Sequence, residues 1–275
     1  MQGPSIAIVH LIRKANGIAP FAEFLASYRQ HEESRRHDLV LVFKDFQSGE
    51  DAPYLSLLSD TKFVRYDYLG DGGLDIGPYI AVTNDLDYDY YCFLNSFSRI
   101  ECDNWLTFLF DALTKAPQAG MVGATGSWES SGALDPPFPN IHVRSNGFMI
   151  SAASLQEMSF IDIADKEDAR AMESGPNSFT QQILDQGKKP YLVDRSGTVW
   201  AEADWPRSAT FRSRQQTGLM ISDNRTRAFD DGDDWTREYL YDMAWTGKPS
   251  SANPFKRHKL RHRLRRLMQP KRPQR

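Results

Sequence analysis

The residues able to bind or transform a ligand fall in four short stretches of the chain. In YDYYCFLNSFSRI the apolar run Tyr90–Leu94 gives way abruptly to Asn95, Ser96, Ser98 and Arg99. In FPNIHVRSNGFMIS, His142, Arg144 and Asn146 stand at alternate positions and share one face of an extended chain. A guanidinium fork beside an imidazole and an amide suits a diphosphate, although the same alternation also marks the wet face of a strand. Glu173 in MESG and Asp168 in KED each offer a carboxylate just before a helix over Ser178–Asp185. Either suits a general base, and either suits helix capping. The fourth stretch, YLGDGGLDIGPY, is a glycine-rich turn before a helix, where backbone N–H groups can approach a phosphate. It matches neither GxGxxG nor the Walker pattern, so a plain tight turn stays open. Asp75, at its end, either meets a ribose hydroxyl or caps the helix.

The elements that must position these residues alternate. Ser5–Ile12, Asp38–Phe43, Lys62–Tyr68, Tyr90–Leu94 and the run GMVGATG read as strands. Between them Phe21, Phe24, Leu25 and Tyr28 recur at helical spacing, a helix opens near Ile76 with Pro78 in its first turn, and Asp103 caps one holding Trp105, Leu106, Leu109 and Leu113. Such alternation predicts an α/β fold, a mainly parallel sheet flanked by helices, with ligands beyond the carboxyl ends of the strands. Asn95 to Arg99 would lie at such an end. RSNGFMIS and PYLV read as later strands, Glu129–Asn140 as a Pro- and Gly-rich loop, and Trp200–Gly218 shows little periodicity. Asp85, Asp87 and Asp89 precede a strand at the opposite edge, do not match the EF-hand spacing, and read as solvated loop acids.

Composition narrows the class. The chain has 275 residues, of which 40% are hydrophobic, enough for a sizeable core. No run is long and apolar enough for a membrane span, and the N-terminus lacks the basic start and cleavage site of a signal peptide. Cys92 and Cys102 form no CxxC pair, which argues against zinc and for reduced thiols in the cytosol. Residues 255–275 hold ten Lys or Arg and no acid, so the remaining 254 residues carry a net charge of −13. Within that tail Leu260, Leu264, Leu267 and Met268 fall at i, i+4, i+7 and i+8, the pattern of a basic amphipathic C-terminal helix. An anionic membrane surface is the expected partner, and the acidic body argues against nucleic acid. The expected division is a catalytic domain over 1–250 and a tail over 251–275.

In order along the chain, GLDIGPY, YYCFLNSFSRI, FPNIHVRSNGFMIS and ESGPNSFTQQILDQG followed by DNRTR resemble bacterial glycosyltransferases of the GT-A fold, the family-2-like and rhamnan-synthesis-like proteins of surface-polysaccharide pathways. The resemblance runs from about Ser5 to Trp245. It implies a GT-A (Rossmann-like) sheet and transfer of a sugar from a nucleotide-diphosphate donor to a lipid-linked or growing surface glycan, by inversion, on the cytoplasmic face of the inner membrane. It places His10, Arg13 and Asp75 on the nucleotide side and makes Glu173 the base, with Asp168 in contention because the register departs from the usual Glu-Asp pair. It also implies Mg²⁺ or Mn²⁺ held by an Asp-x-Asp after the fourth strand. Here that position reads Asn95-Ser96-Phe97, and both acids are missing. Two neutral side chains do not offset a divalent ion as carboxylates do. The departure therefore points to a donor site with little or no metal dependence, with Asn95 and Ser96 as donors and Arg99, Arg144 and His142 facing the diphosphate. The same departure suits a rival reading, a non-catalytic scaffold of a polysaccharide assembly that keeps the fold.

Overall fold

The computed structural model describes residues 3–130, 132 and 135–255. The first half runs β1 (Ile6–Arg13), α1 (Ile18–Gln30), β2 (Asp38–Lys44), α2 (Ala52–Ser56), β3 (Val64–Tyr68), α3 (Ile76–Asp85), β4 (Tyr90–Leu94), β5 (Arg99–Ile100), α4 (Trp105–Lys115) and β6 (Ala119–Gly123). The second half adds β7 (Gly126–Ser127), β8 (His142–Val143), β9 (Gly147–Ser151), α5 (Ala152–Gln156), α6 (Lys166–Ser174), α7 (Phe179–Asp185), β10 (Lys189–Val193), β11 (Val199–Ala201), β12 (Ile221–Ser222), α8 (Asn224–Asp230) and α9 (Asp234–Trp245).

Eight strands form one sheet in the order β11-β10-β6-β9-β4-β1-β2-β3. It is parallel except for β9, antiparallel to both β4 and β6, and the edge strand β11. Period-two alternation sorts the core. Ile6, Ile8 and Ile12 of β1 pack with Phe21, Phe24 and Leu25 of α1 and with Trp105, Leu106 and Leu109 of α4. Ala7, Val9 and Leu11 face the other layer, with Tyr79 of α3, Met172 of α6 and Phe179 of α7. Burying both faces explains why these strands read as continuous apolar runs rather than alternating ones.

Several sequence expectations are corrected. Asp103 does not cap α4; it accepts from His31 Nδ1 at 3.0 Å and from the Glu32 N–H at 3.1 Å. The capping carboxylate comes from Glu33, whose Oε2 accepts the Leu106 and Thr107 N–H groups, both at 3.0 Å. Lys166–Asp168 and Met172–Ser174 are not a lead-in to α7 but the two ends of a separate helix, α6, which opens with a capping box between Asp165 and Asp168. The segment RSNGFMIS is a strand only from Gly147, because Arg144–Asn146 turn between β8 and β9. The basic tail lies outside the described residues from Lys256 onward. No described helix is long and apolar enough to cross a membrane.

Candidate active site

Because β9 runs against its neighbours, its first residue lies at the same sheet edge as the last of β4: Leu94 pairs with Gly147. The turn before β9 therefore stands beyond the carboxyl ends of the parallel strands. There a cleft of about 480 Å³ opens between the start of α3, helix α6, the 144–146 turn, the 209–216 segment and the start of α8. Asp75, His142, Arg144, Ser145, Glu173, Phe211, Arg212 and Arg225 all line it.

Glu173 is fixed before any ligand arrives. Its Oε1 accepts from the Ser145 N–H at 2.8 Å and from Ser145 Oγ at 3.1 Å. Two further bonds tie the same turn to the helices around it. Asn140 Nδ2 donates to the Ser174 carbonyl at 2.8 Å, and the Val143 N–H donates to Thr180 Oγ1 at 2.9 Å. His142 sits on the short β7–β8 ribbon, where a Cβ on Gly126 would lie 2.7 Å from the Trp205 ring. Only glycine allows that approach. His142 Nδ1 bonds the Asn140 carbonyl at 2.8 Å, so Nδ1 carries the proton and Nε2 is left as an acceptor. Burial holds its pKa below the ordinary imidazole value, with Glu173 pulling the other way.

Arg144 donates to Asp223 Oδ2 at 3.0 Å and lies over the Phe211 ring, 4.3 Å from its centroid. Asp223 caps α8 through the Arg225 and Thr226 N–H groups. Burial alone would raise its pKa, but Arg144 and those N–H donors hold it below the carboxylate range. Asp75 opens α3 without a capping bond from its side chain. Burial, opposed by Lys44 and reinforced by Glu173, pushes its carboxyl up to about 6.

The other expected residues lie elsewhere. Asn95 Oδ1 accepts the Phe97 N–H at 2.9 Å and lies 3.1 Å from Ser98 Oγ, so its amide closes its own turn. Ser96 is buried beside it. Arg99 pairs with Glu23 of α1 through Nε at 3.1 Å. Asn146 is fully buried; it accepts from Thr125 Oγ1 and donates to the Ile221 carbonyl at 3.3 Å, locking the turn instead of facing the cleft. His10 points into the α1 layer, its ring stacked 3.6 Å from that of Phe24. Arg13 pairs with Asp71 of the glycine-rich turn, near Lys44, whose buried ammonium donates to the Leu74 carbonyl at 2.6 Å. Asp168 accepts the Ala164 and Asp165 N–H groups at 2.9 and 3.1 Å as the third-position half of the α6 capping box, whose N-cap is Asp165. Five residues apart on a helix, it and Glu173 project roughly 140° from each other, so only one can enter the cleft.

Among the lining residues that the sequence reading did not single out are Ser145, Phe211, Arg212 and Arg225. Phe211 and Arg212 fall in the stretch without periodicity, where Ala209, Arg212, Arg214, Gln215 and Gln216 all take positive φ between 45° and 55°. Left-handed backbone at non-glycine residues costs about 1 kcal/mol or more each and persists only where its surroundings enforce it. Gln216 does so, accepting the Arg212 N–H at 2.9 Å and donating to the Thr226 carbonyl at 2.9 Å and Asp230 at 3.0 Å. The adjacent Phe-Arg pair was the available signal, but no spacing rule marks it.

Neither a protein-family model nor a curated protein sequence matches the chain. Among solved structures, a mannosyltransferase from Pyrobaculum calidifontis in complex with GDP-Man and Mn²⁺ aligns over 98% of this chain and 82% of that one, with a TM-score of 0.52 at 8% identity. The fold is of the GT-A type. Residues 1–349 of S. aureus TarS align over 73% of this chain and 61% of that one, less than two thirds of its length, with a TM-score of 0.48 at 11% identity. A 4-diphosphocytidyl-2C-methyl-D-erythritol synthase from Anaerococcus prevotii aligns over 70% and 89%, with a TM-score of 0.43 at 12% identity. The metal in the mannosyltransferase complex raises the question of fit here. The stretch after β4 does not suit a divalent ion: it has no carboxylate, and the Asn95 oxygen is taken up by its own turn.

Proposed function

We propose that the chain is a glycosyltransferase that moves a sugar from a nucleotide-diphosphate donor to a hydroxyl of a lipid-linked or growing surface glycan, with inversion. One observation carries the reading: Glu173, pinned by Ser145 through a single oxygen, lies in the same cleft as Arg144 and His142 at the ligand edge of a GT-A sheet. In this reading Glu173 takes the proton from the acceptor hydroxyl as its oxygen attacks the anomeric carbon. The bond from that carbon to the diphosphate breaks, and the nucleoside diphosphate leaves with the electron pair. Ser145 holds the base in place, and His142 Nε2 is free to accept from a sugar hydroxyl. Residues 255–275 would bring the enzyme to acceptors on the anionic cytoplasmic face of the membrane.

The test is turnover of UDP-, GDP-, CMP- and dTDP-sugars, with donor binding read in parallel by thermal shift. Glu173→Gln is expected to lower kcat by about 10²–10⁴ while donor affinity holds, since the base acts in the transition state. Asp168→Ala should lower the melting temperature and leave kcat near the parent value, because a lost cap costs about 0.5–2 kcal/mol of stability. The self-contained Asn95 turn favours a second reading, a scaffold that retains the fold and has lost catalysis. Donor binding without turnover in the parent, unchanged by Glu173→Gln, would establish that instead.

A further inference from the structure

Three arginines of the cleft, Arg144, Arg212 and Arg225, stand out among its charged groups. Arg212 is 8% exposed, and its carboxylate partner among the described residues is Glu129, met by Nη1 at 2.9 Å. Among those residues its buried Nε has no hydrogen-bond partner, and neither has the buried Nη1 of Arg144. Arg212 and Arg144 both lie against the Phe211 ring, 4.7 and 4.3 Å from its centroid. Phe211 is itself fixed from behind by Trp245 Nε1, which donates to its carbonyl at 2.9 Å. The guanidinium of Arg225, on an exposed residue at the start of α8, has no partner among the described residues and lines the same cleft. Burial, and then the repulsion of Arg144 and Arg225, pull the pKa of Arg212 down against the attraction of Glu129. Arg144 and Arg212 each hold one carboxylate, and exposed Arg225 lines the same cleft beside them, so an anion entering it meets three guanidinium groups, one of them with no side-chain partner among the described residues.

We propose that Arg144 and Arg212, held against Phe211, together with Arg225 in the same cleft form a binding site for a pyrophosphate group that needs no divalent metal. Guanidinium forks match phosphate oxygens two at a time, and the planar groups held against Phe211 lose little freedom when they bind. The site answers the absence of acids after β4: the charge that a metal would offset falls to Arg144 of the 144–146 turn and to Arg212 and Arg225, which line the same cleft. The proposal rests on the glycosyltransferase reading only for the source of the pyrophosphate, either the donor's diphosphate or a phosphorylated acceptor.

The experiment is calorimetric titration of the full-length protein with inorganic pyrophosphate, in EDTA and in Mn²⁺. Binding is expected in EDTA. Arg212→Lys, which keeps the charge but loses the fork, and Arg225→Gln, at an exposed position that leaves folding undisturbed, should each weaken it at least about five-fold. Pyrophosphate taken up by the basic tail would not respond to either change. Binding that requires Mn²⁺, no binding at all, or equal binding by Arg225→Gln and Arg212→Lys would overturn the site. A nucleoside diphosphate that displaces pyrophosphate identifies the donor as its source; joint binding of the two identifies a phosphorylated acceptor. Nucleotide sugars that bind both variants as tightly as the parent would remove the arginine site and spare the transferase. Pyrophosphate held by the arginines with no sugar nucleotide bound or turned over would do the reverse.

Discussion

His10 and Asp75 show how far a side chain's setting departs from what its type suggests. Both lie near the ligand edge in sequence terms, yet His10 is sealed in the α1 layer with neither ring nitrogen bonded among the described residues, and burial lowers its pKa to about 3 from 6.5. Between those values the unfolded chain binds a proton that the folded chain refuses, so His10 costs stability as pH falls below about 6.5. Asp75 has the opposite sign. Its folded carboxyl titrates at about 6 against 3.8, so the folded chain keeps a proton the unfolded chain has shed, and that contribution is lost as pH rises through about 6. Over pH 4–6, roughly the span between those values, the two slopes oppose each other. We expect His10→Phe, which keeps the stack on Phe24 and removes two unbonded nitrogens, to gain about 1–3 kcal/mol and to grow more stable, relative to the parent, as pH falls. Asp75→Asn should show the reverse slope. Thermal melts across pH 4–7 decide it, and parallel slopes in the two variants would refute the assignment. At this scale the sequence was informative where a type has few uses. Alternation grouped His142, Arg144 and Asn146, and the structure keeps the first two in the cleft. It turns Asn146 inward because the chain bends at Ser145 instead of staying extended. Glu173 and Asp168 could not be separated until a helix was seen to join them.

At the scale of elements, long apolar runs and helical spacing were legible, since burial on both faces leaves a strong imprint: β1 to β4, α1, α3, α4 and α7 all lie where periodicity puts them. Polar helices were not. Helix α6, Lys166–Ser174, carries the acids that read equally well as loop, and α8 and α9 follow a segment whose left-handed residues obey no periodicity at all. Capping shows the same limit, because the partner can come from far away in sequence. Asp103 stands in the expected place before α4, yet Glu33, 73 residues before Leu106, supplies the cap and also accepts from Thr107 Oγ1 at 2.6 Å. Glu33→Gln should therefore cost about 1–2 kcal/mol by weakening three bonds at the start of α4, whereas Asp103→Asn should cost less. Melting temperatures of the two variants, with donor turnover unchanged in both, test the point. A larger loss for Asp103→Asn would restore the local cap.

At the scale of the whole molecule the charge is divided: a body of net −13 is followed by ten basic residues within Phe255–Arg275. The described residues end at Phe255, half exposed with its ring 6.4 Å from that of Tyr239 in α9. An acidic body is repelled by an anionic bilayer, so the proposed attraction would have to come from the tail. At roughly 1 kcal/mol per Lys or Arg near the surface, engagement of half of the ten would supply about 5 kcal/mol, several thousand-fold in affinity. We expect the full chain to co-sediment with phosphatidylglycerol-containing vesicles, to bind phosphatidylcholine vesicles weakly, and to release as salt shortens the range of the attraction. Deleting 255–275 should abolish the binding while the melting temperature of the body stays within a few degrees of the parent. Turnover on a soluble acceptor should survive the deletion, and turnover on a vesicle-borne acceptor should fall with binding, the outcome expected of a tail that raises local concentration at the acceptor without shaping the cleft. Equal vesicle binding by the truncated chain would mean that the body holds a membrane surface of its own, against the sign of its net charge.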